Sequence, residues 1–143
     1  MEQKIIKNIK KIIIENNDNS LEKIDEELTE LESSIDIDKN IINEFLYIYE
    51  EYPNFDFGVP GTLTHFLETF YKKGYEERLI ESIRRTPTKH TLWMLNRIIN
   101  GTNGKELKDN YIQEFHLIIN NHKLDISLRE LASDYMRLHK NKE

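Results

Sequence analysis

The chain of 143 residues has no cysteine, three prolines, five glycines and one tryptophan. Without cysteine there is no disulfide framework, no thiol nucleophile and no thiolate metal site. No apolar run approaches the roughly 20 residues of a membrane span. Nothing at the N-terminus has the charge and apolar pattern of a signal peptide, because Lys4, Lys7, Lys10 and Lys11 are interspersed with isoleucines. There is no Gly-rich phosphate loop, no HExxH and no GxSxG. A cytoplasmic protein without membrane segment, metal or cofactor is the expectation. The five histidines, His65, His90, His116, His122 and His139, are scattered. His116 and His122 are six apart, which misses the three- or four-residue spacing that puts two side chains on one helix face.

What the chain does have is charge and helical rhythm. Residues 1–52 carry 14 acidic and 6 basic side chains, 53–100 carry 5 and 7, and the remainder carries 7 of each. Direct nucleic-acid binding needs a concentrated cationic face, which this partition does not supply. An acidic surface instead suits a basic partner.

Ile5, Ile6, Ile9, Ile12 and Ile13 predict a helix over 3–15. Leu21, Ile24, Leu28 and Leu31 predict a second over 21–33, with a wet, Glu-rich opposite face. Asp36 or Asp38 can cap a third. That helix turns Ile41, Ile42, Phe45, Leu46 and Ile48 or Tyr49 inward, and stops by Pro53. Thr62 can cap a helix carrying Leu63, Phe66, Leu67 and Phe70, with Gly74 ending it. Tyr75, Leu79, Ile80 and Ile83 mark the next, and Thr88 opens one with Leu92, Leu95, Ile98 and Ile99 as core. A long helix follows over 105–120. Ser127 and Glu130 fit a capping box for a last helix built on Leu128, Leu131, Tyr135 and Leu138. The expected fold is all-α, a single domain over 1–143 of about eight helices in antiparallel pairs, either closed into a globule or stacked in a HEAT-like way.

Residues 53–61 are the irregular stretch. Gly58 and Pro60-Gly61 are turn signals, and the aromatics around them predict a packed loop. His65 and Glu68, three apart, can meet on one helix face. A carboxylate orienting an imidazole is half of an acid–base site and equally an ordinary local hydrogen bond. Arg84, Arg85, Lys89 and His90 form a basic corner that can bind an anion or pair with Asp56 or the acidic helices. Trp93 is expected in the core beside Phe66 or Phe70, and Arg97 in a semi-buried ion pair.

The runs DFGVPGTLTHFLE (56–68) and TPTKHTLWMLNRIIN (86–100) resemble CdiI-type all-helical immunity proteins of bacterial contact-dependent growth inhibition and related polymorphic toxin systems. The resemblance covers about residues 55–100 and rests on Asp56, Gly58, Pro60, Gly61, His65, Glu68, His90, Trp93, Asn96 and Arg97. Thr62 departs from it, standing where a second proline is expected. It implies a non-enzymatic protein that neutralises the C-terminal domain of a cognate toxin, often a nuclease, with the shared motif as scaffold. The partner surface then falls in the acidic part of the chain, on Glu22, Asp25, Glu26, Glu30, Glu44 and Glu50, with Tyr47 as an aromatic anchor. The rival readings are a helical adaptor for an endogenous protein and a hydrolase using His65 with Glu68.

Overall fold

The computed structural model describes residues 1–34 and 36–140. Among them are eight helices and no strand: α1 Glu2–Glu15, α2 Ser20–Glu32, α3 Asn40–Glu51, α4 Thr62–Glu68, α5 Tyr75–Arg85, α6 Lys89–Asn100, α7 Lys105–Ile119 and α8 Ile126–Lys140. No helix among these residues is long and apolar enough to cross a membrane. Contacts gather into two units, Met1–Arg78 and Leu79–Glu143, with the division falling inside α5.

In the first unit α1 packs on α2 and α3, and α2 packs on α4. The isoleucine stripe of α1 is buried at Ile5, Ile6, Ile9 and Ile13, and that of α2 at Ile24, Leu28 and Leu31. Asn16 closes α1 in the left-handed conformation, which asparagine tolerates better than most residues. Asp38 supports the start of α3 by accepting from the Asn40 amide at 3.0 Å. Both Ile48 and Tyr49 face inward, so α3 buries six side chains in twelve residues.

The 53–61 loop is packed. Phe57 is buried with its ring centroid 4.3 Å from that of Tyr49 and 4.9 Å from that of Phe55. The Asp56 carboxylate accepts from the Gly58 amide at 2.9 Å and tightens the turn. The Val59–Pro60 peptide is cis. Gly61 sits at φ +82°, and a Cβ there would lie 1.8 Å from the Phe57 carbonyl oxygen, so only glycine fits.

Gly61 rather than Thr62 is the N-cap of α4, with no side-chain cap bond, and the Thr62 hydroxyl is buried without a hydrogen-bond partner. α4 also ends six residues before Gly74. Thr69 returns its hydroxyl to the Phe66 carbonyl at 2.7 Å, and the buried Glu76 carboxylate accepts from the Lys72 amide with both oxygens at 3.0 Å. These bonds give the backbone an alternative to the helical ladder. Phe70 is consequently half-buried instead of lying in the core.

In the second unit Thr88 opens α6 in a reciprocal cap with Thr91, each side chain accepting from the other's amide at 3.1 Å. Leu92, Leu95, Ile98 and Ile99 are buried as the periodicity requires. α7 and α8 form an antiparallel hairpin: Arg129 Nε donates to the Ile119 carbonyl at 2.9 Å, and a turn back the Phe115 and Tyr135 rings lie 5.5 Å apart. α6 packs on both. The start of α8 differs from expectation. Asp125, not Ser127 with Glu130, holds it, accepting from the Ser127 amide at 3.1 Å. Its buried side chains are Ala132, Met136 and His139, while Leu128, Leu131 and Tyr135 are half-buried and Leu138 is 54% exposed.

Candidate functional surfaces

The acidic strip of α2 is a direct product of its amphipathicity. With Ile24, Leu28 and Leu31 turned inward, Glu22, Asp25, Glu26 and Glu30 are left exposed. Spacings of three and four place them as neighbours along one side of the helix. Glu26 also borders a groove between α1 and α2, of about 430 Å3, where Lys11 and Lys23 stand beside Glu15 and Glu27. Asn8 donates to Glu27 Oε1 at 3.2 Å across that groove, and Glu27 Oε2 is buried without a hydrogen-bond partner. The strip is therefore acidic on its outer side and mixed where it meets α1.

Glu44, Tyr47 and Glu50 lie on α3, with Tyr47 44% exposed and the two glutamates half-buried. They ride on a helix whose main packing partner is α1, whereas α2 packs on α1 and α4. The seven expected partner residues thus form two strips on different elements. At the C-terminal end of α3, Glu51 pairs with Lys10 at 3.4 Å beside a groove of about 380 Å3 lined by Ile14, Tyr52 and Phe55.

The motif residues divide between the units. Asp56, Gly58, Pro60 and Gly61 build the loop. His65 meets Glu68 at 3.6 Å on the exposed side of α4, its side chain 61% accessible, and it lines none of the grooves described. On α6, Trp93 is half-buried rather than part of the core. Its ring neighbours are His90, at 5.2 Å between centroids, and Arg97, whose guanidinium carbon lies 5.2 Å over the indole. Phe66 instead has Phe45 and Phe70 as ring neighbours. Asn96 Oδ1 lies 2.6 Å from Nε2 of the buried His139. Among the described residues no cluster of His, Asp and Glu can hold a metal.

Two buried polar arrangements were not predicted. Tyr49, fully buried, shares a hydrogen bond with Thr64 at 2.9 Å. Burial pushes its phenol well above the usual range; the Thr64 bond opposes this and the Glu68 charge adds to it. Burial likewise pushes Tyr135 up. In the second unit the basic corner does pair internally, but with an unexpected partner. Arg84 donates from Nε, at 3.3 Å, and from Nη2 to the two carboxylate oxygens of Glu114. The Glu114 side chain is 6% exposed and that of Arg84 64%. Hydrogen bonding to Glu114, with its charge, raises the Arg84 guanidinium still further above neutral pH. A signal for this pair was present: Glu114 lies three residues after Tyr111 and four before Ile118, within the apolar stripe of α7.

No family model, curated protein or solved structure matches the chain.

Proposed function

We propose that this chain is a non-enzymatic immunity protein that binds and neutralises the toxic C-terminal domain of a cognate effector, a basic nuclease, in the cytoplasm of the producing cell. The observation that carries this reading is the exposed strip Glu22, Asp25, Glu26 and Glu30 on α2, within a segment 1–52 that holds 14 acidic and 6 basic side chains. A nuclease surface that grips phosphate is cationic, and a strip of carboxylates answers the same surface. Exposed ion pairs add little net affinity, so Tyr47 on α3 serves as the apolar anchor while the α2 carboxylates steer encounter. The likeness of residues 55–100 to immunity proteins is consistent with this, with the motif as scaffold and the acidic helices outside it as the reading surface.

The test is copurification with the toxic domain encoded beside this chain's gene, followed by stopped-flow binding across ionic strength. Raising salt should slow association on the order of tenfold or more and leave dissociation nearly unchanged. The triple reversal Glu22→Lys, Asp25→Lys and Glu26→Lys should slow association and weaken neutralisation. Unchanged association and neutralisation in that variant removes the acidic strip from the mechanism. Stable binding without neutralisation favours an adaptor.

A further inference from the structure

Val59 is 82% exposed at the tip of the 53–61 loop, further out than any other large apolar side chain among the described residues. A lone surface valine is ordinary. This one is carried on a turn with little room to move. Phe57 is buried against Tyr49, and the Asp56 carboxylate accepts from the Gly58 amide at 2.9 Å. Gly58 and Gly61 stand at φ +90° and +82°, so close that a Cβ on Gly58 would lie 2.9 Å from the Gly61 Cα. The tip is therefore held in one shape by its own loop. A β-branched side chain on such a turn has little freedom left to lose when a partner covers it.

The loop tip abuts the acidic strip. Cδ1 of Leu21 lies 3.5 Å from where a Gly58 Cβ would stand, one residue from Val59. Leu21 is 36% exposed in the first turn of α2, next to Glu22 and one turn before Asp25. Both carboxylates are exposed, and among the described residues neither pairs with a base. The two segments offer little to offset them. Residues 53–61 carry no base, and Lys23, the only base of α2, lines the groove toward α1. Val59 and Leu21 line neither that groove, nor the one beside Tyr52, nor a cleft of about 220 Å3 beside Arg84 and Glu114. A convex tip does not enclose a small ligand; it has to enter a hollow on something larger. The adjoining carboxylates repel phosphate and select a cationic rim around that hollow.

We propose that Val59, with Leu21 beside it, is an anchor of the partner contact: it enters an apolar hollow rimmed by lysine or arginine on a basic protein domain, and Glu22 and Asp25 meet that rim. The inference rests on the immunity reading for the identity of the partner. To Tyr47 on α3 it adds an anchor adjoining the α2 strip itself, and it gives the loop a role in recognition besides that of scaffold.

The test is stopped-flow binding of the full chain to the toxic domain encoded beside its gene. Val59→Ser should leave association at the parental rate and speed dissociation about tenfold, the loss of one well-packed apolar contact. Leu21→Ala, which keeps a good helix former in the first turn of α2, should speed dissociation about threefold. Val59→Thr keeps the branched shape, and so the loop, and should speed dissociation about threefold as well. Circular dichroism and melting of the Val59 variants should stay as in the parent. Parental dissociation in either folded Val59 variant overturns the anchor. If the triple reversal on α2 still slows association in the same series, the immunity reading stands without it. No binding by the parent chain removes the immunity reading and the anchor together.

Discussion

Arg84→Ala and Glu114→Gln remove the same ion pair from opposite sides, and they should not cost the same. Glu114 is 6% exposed and Arg84 64%. Without Glu114 the guanidinium returns to water, and glutamine keeps the shape and an oxygen that still accepts, so the loss should be about 1 kcal/mol or less. Without Arg84 a carboxylate is left buried and unpaired. Stranding one partner of a fully enclosed pair costs about 3–5 kcal/mol. Here the adjoining cleft admits water to the carboxylate, which brings the expectation down to about 2 kcal/mol. Trp93, the sole tryptophan, lies in the same unit and reports its unfolding. With a urea dependence of about 1–3 kcal/mol per molar, Arg84→Ala should lower the fluorescence midpoint by about 1 M and Glu114→Gln by half of that or less. The double variant Arg84→Ala with Glu114→Leu should recover most of the single loss, since no charge is then buried. Glu114→Gln proving as costly as Arg84→Ala would refute the burial argument.

Two further expectations concern the first unit and its loop. Gly61→Ala should destabilise by about 3 kcal/mol or more, since φ is +82° and the new Cβ would strike the Phe57 carbonyl at 1.8 Å. Gly104→Ala, with nothing within 4 Å of the added carbon, should stay within about 0.5 kcal/mol; urea melts that show similar losses would discredit the steric account. Tyr49 should resist ionisation in the folded protein, so stability should fall as pH rises above about 10, where the unfolded phenol loses its proton and the folded one keeps it. Tyr49→Phe should flatten that decline. Absorbance at alkaline pH showing all seven tyrosines ionising together in the folded state would contradict it.

The first two helices were legible because most of their apolar residues fall on one stripe, although Leu21, expected in that of α2, is 36% exposed and Ile14 of α1 is 70% exposed. Ile5, Ile6, Ile9 and Ile13, then Ile24, Leu28 and Leu31, repeat at helical spacing with charges between them. α8 was misread for the opposite reason. Leu128, Leu131, Tyr135 and Leu138 offer a plausible stripe, but Ala132, Met136 and His139 face the interior. A small residue such as Ala132 permits close approach of a neighbouring helix, and His139 is acceptable inside because Asn96 meets it at 2.6 Å. Neither condition can be seen from α8 alone. Glu76 and Glu114 were missed in the same way. A charged residue is assigned to solvent unless its partner is known, and the partners here are a backbone amide four residues back and an arginine thirty residues away.

The same reasoning separates what the two candidate surfaces can owe to the chain's own sequence. Glu114 and Arg84 are placed by their own fold, so their geometry is fully determined within residues 79–140 and their cost can be worked out from burial. The α2 strip is different. Glu22, Asp25, Glu26 and Glu30 are exposed as a consequence of burying Ile24, Leu28 and Leu31, and a helix in that position would show a polar outer face whatever its partner. What solubility alone does not require is the sign of that face: four carboxylates in nine residues, in a segment with 14 acids to 6 bases. Like charges three and four apart destabilise the isolated helix by a few tenths of a kcal/mol per pair. A surface under no other demand would relieve this by interleaving lysines, as the balanced 7 and 7 of residues 101–143 does. Replacing Glu26 alone with lysine turns its like-charge neighbours four residues away, Glu22 and Glu30, into opposite-charge pairs and keeps Glu22 in the first turn of α2, so it should raise stability slightly while slowing capture of a cationic partner, the opposition of signs expected of a strip that binds.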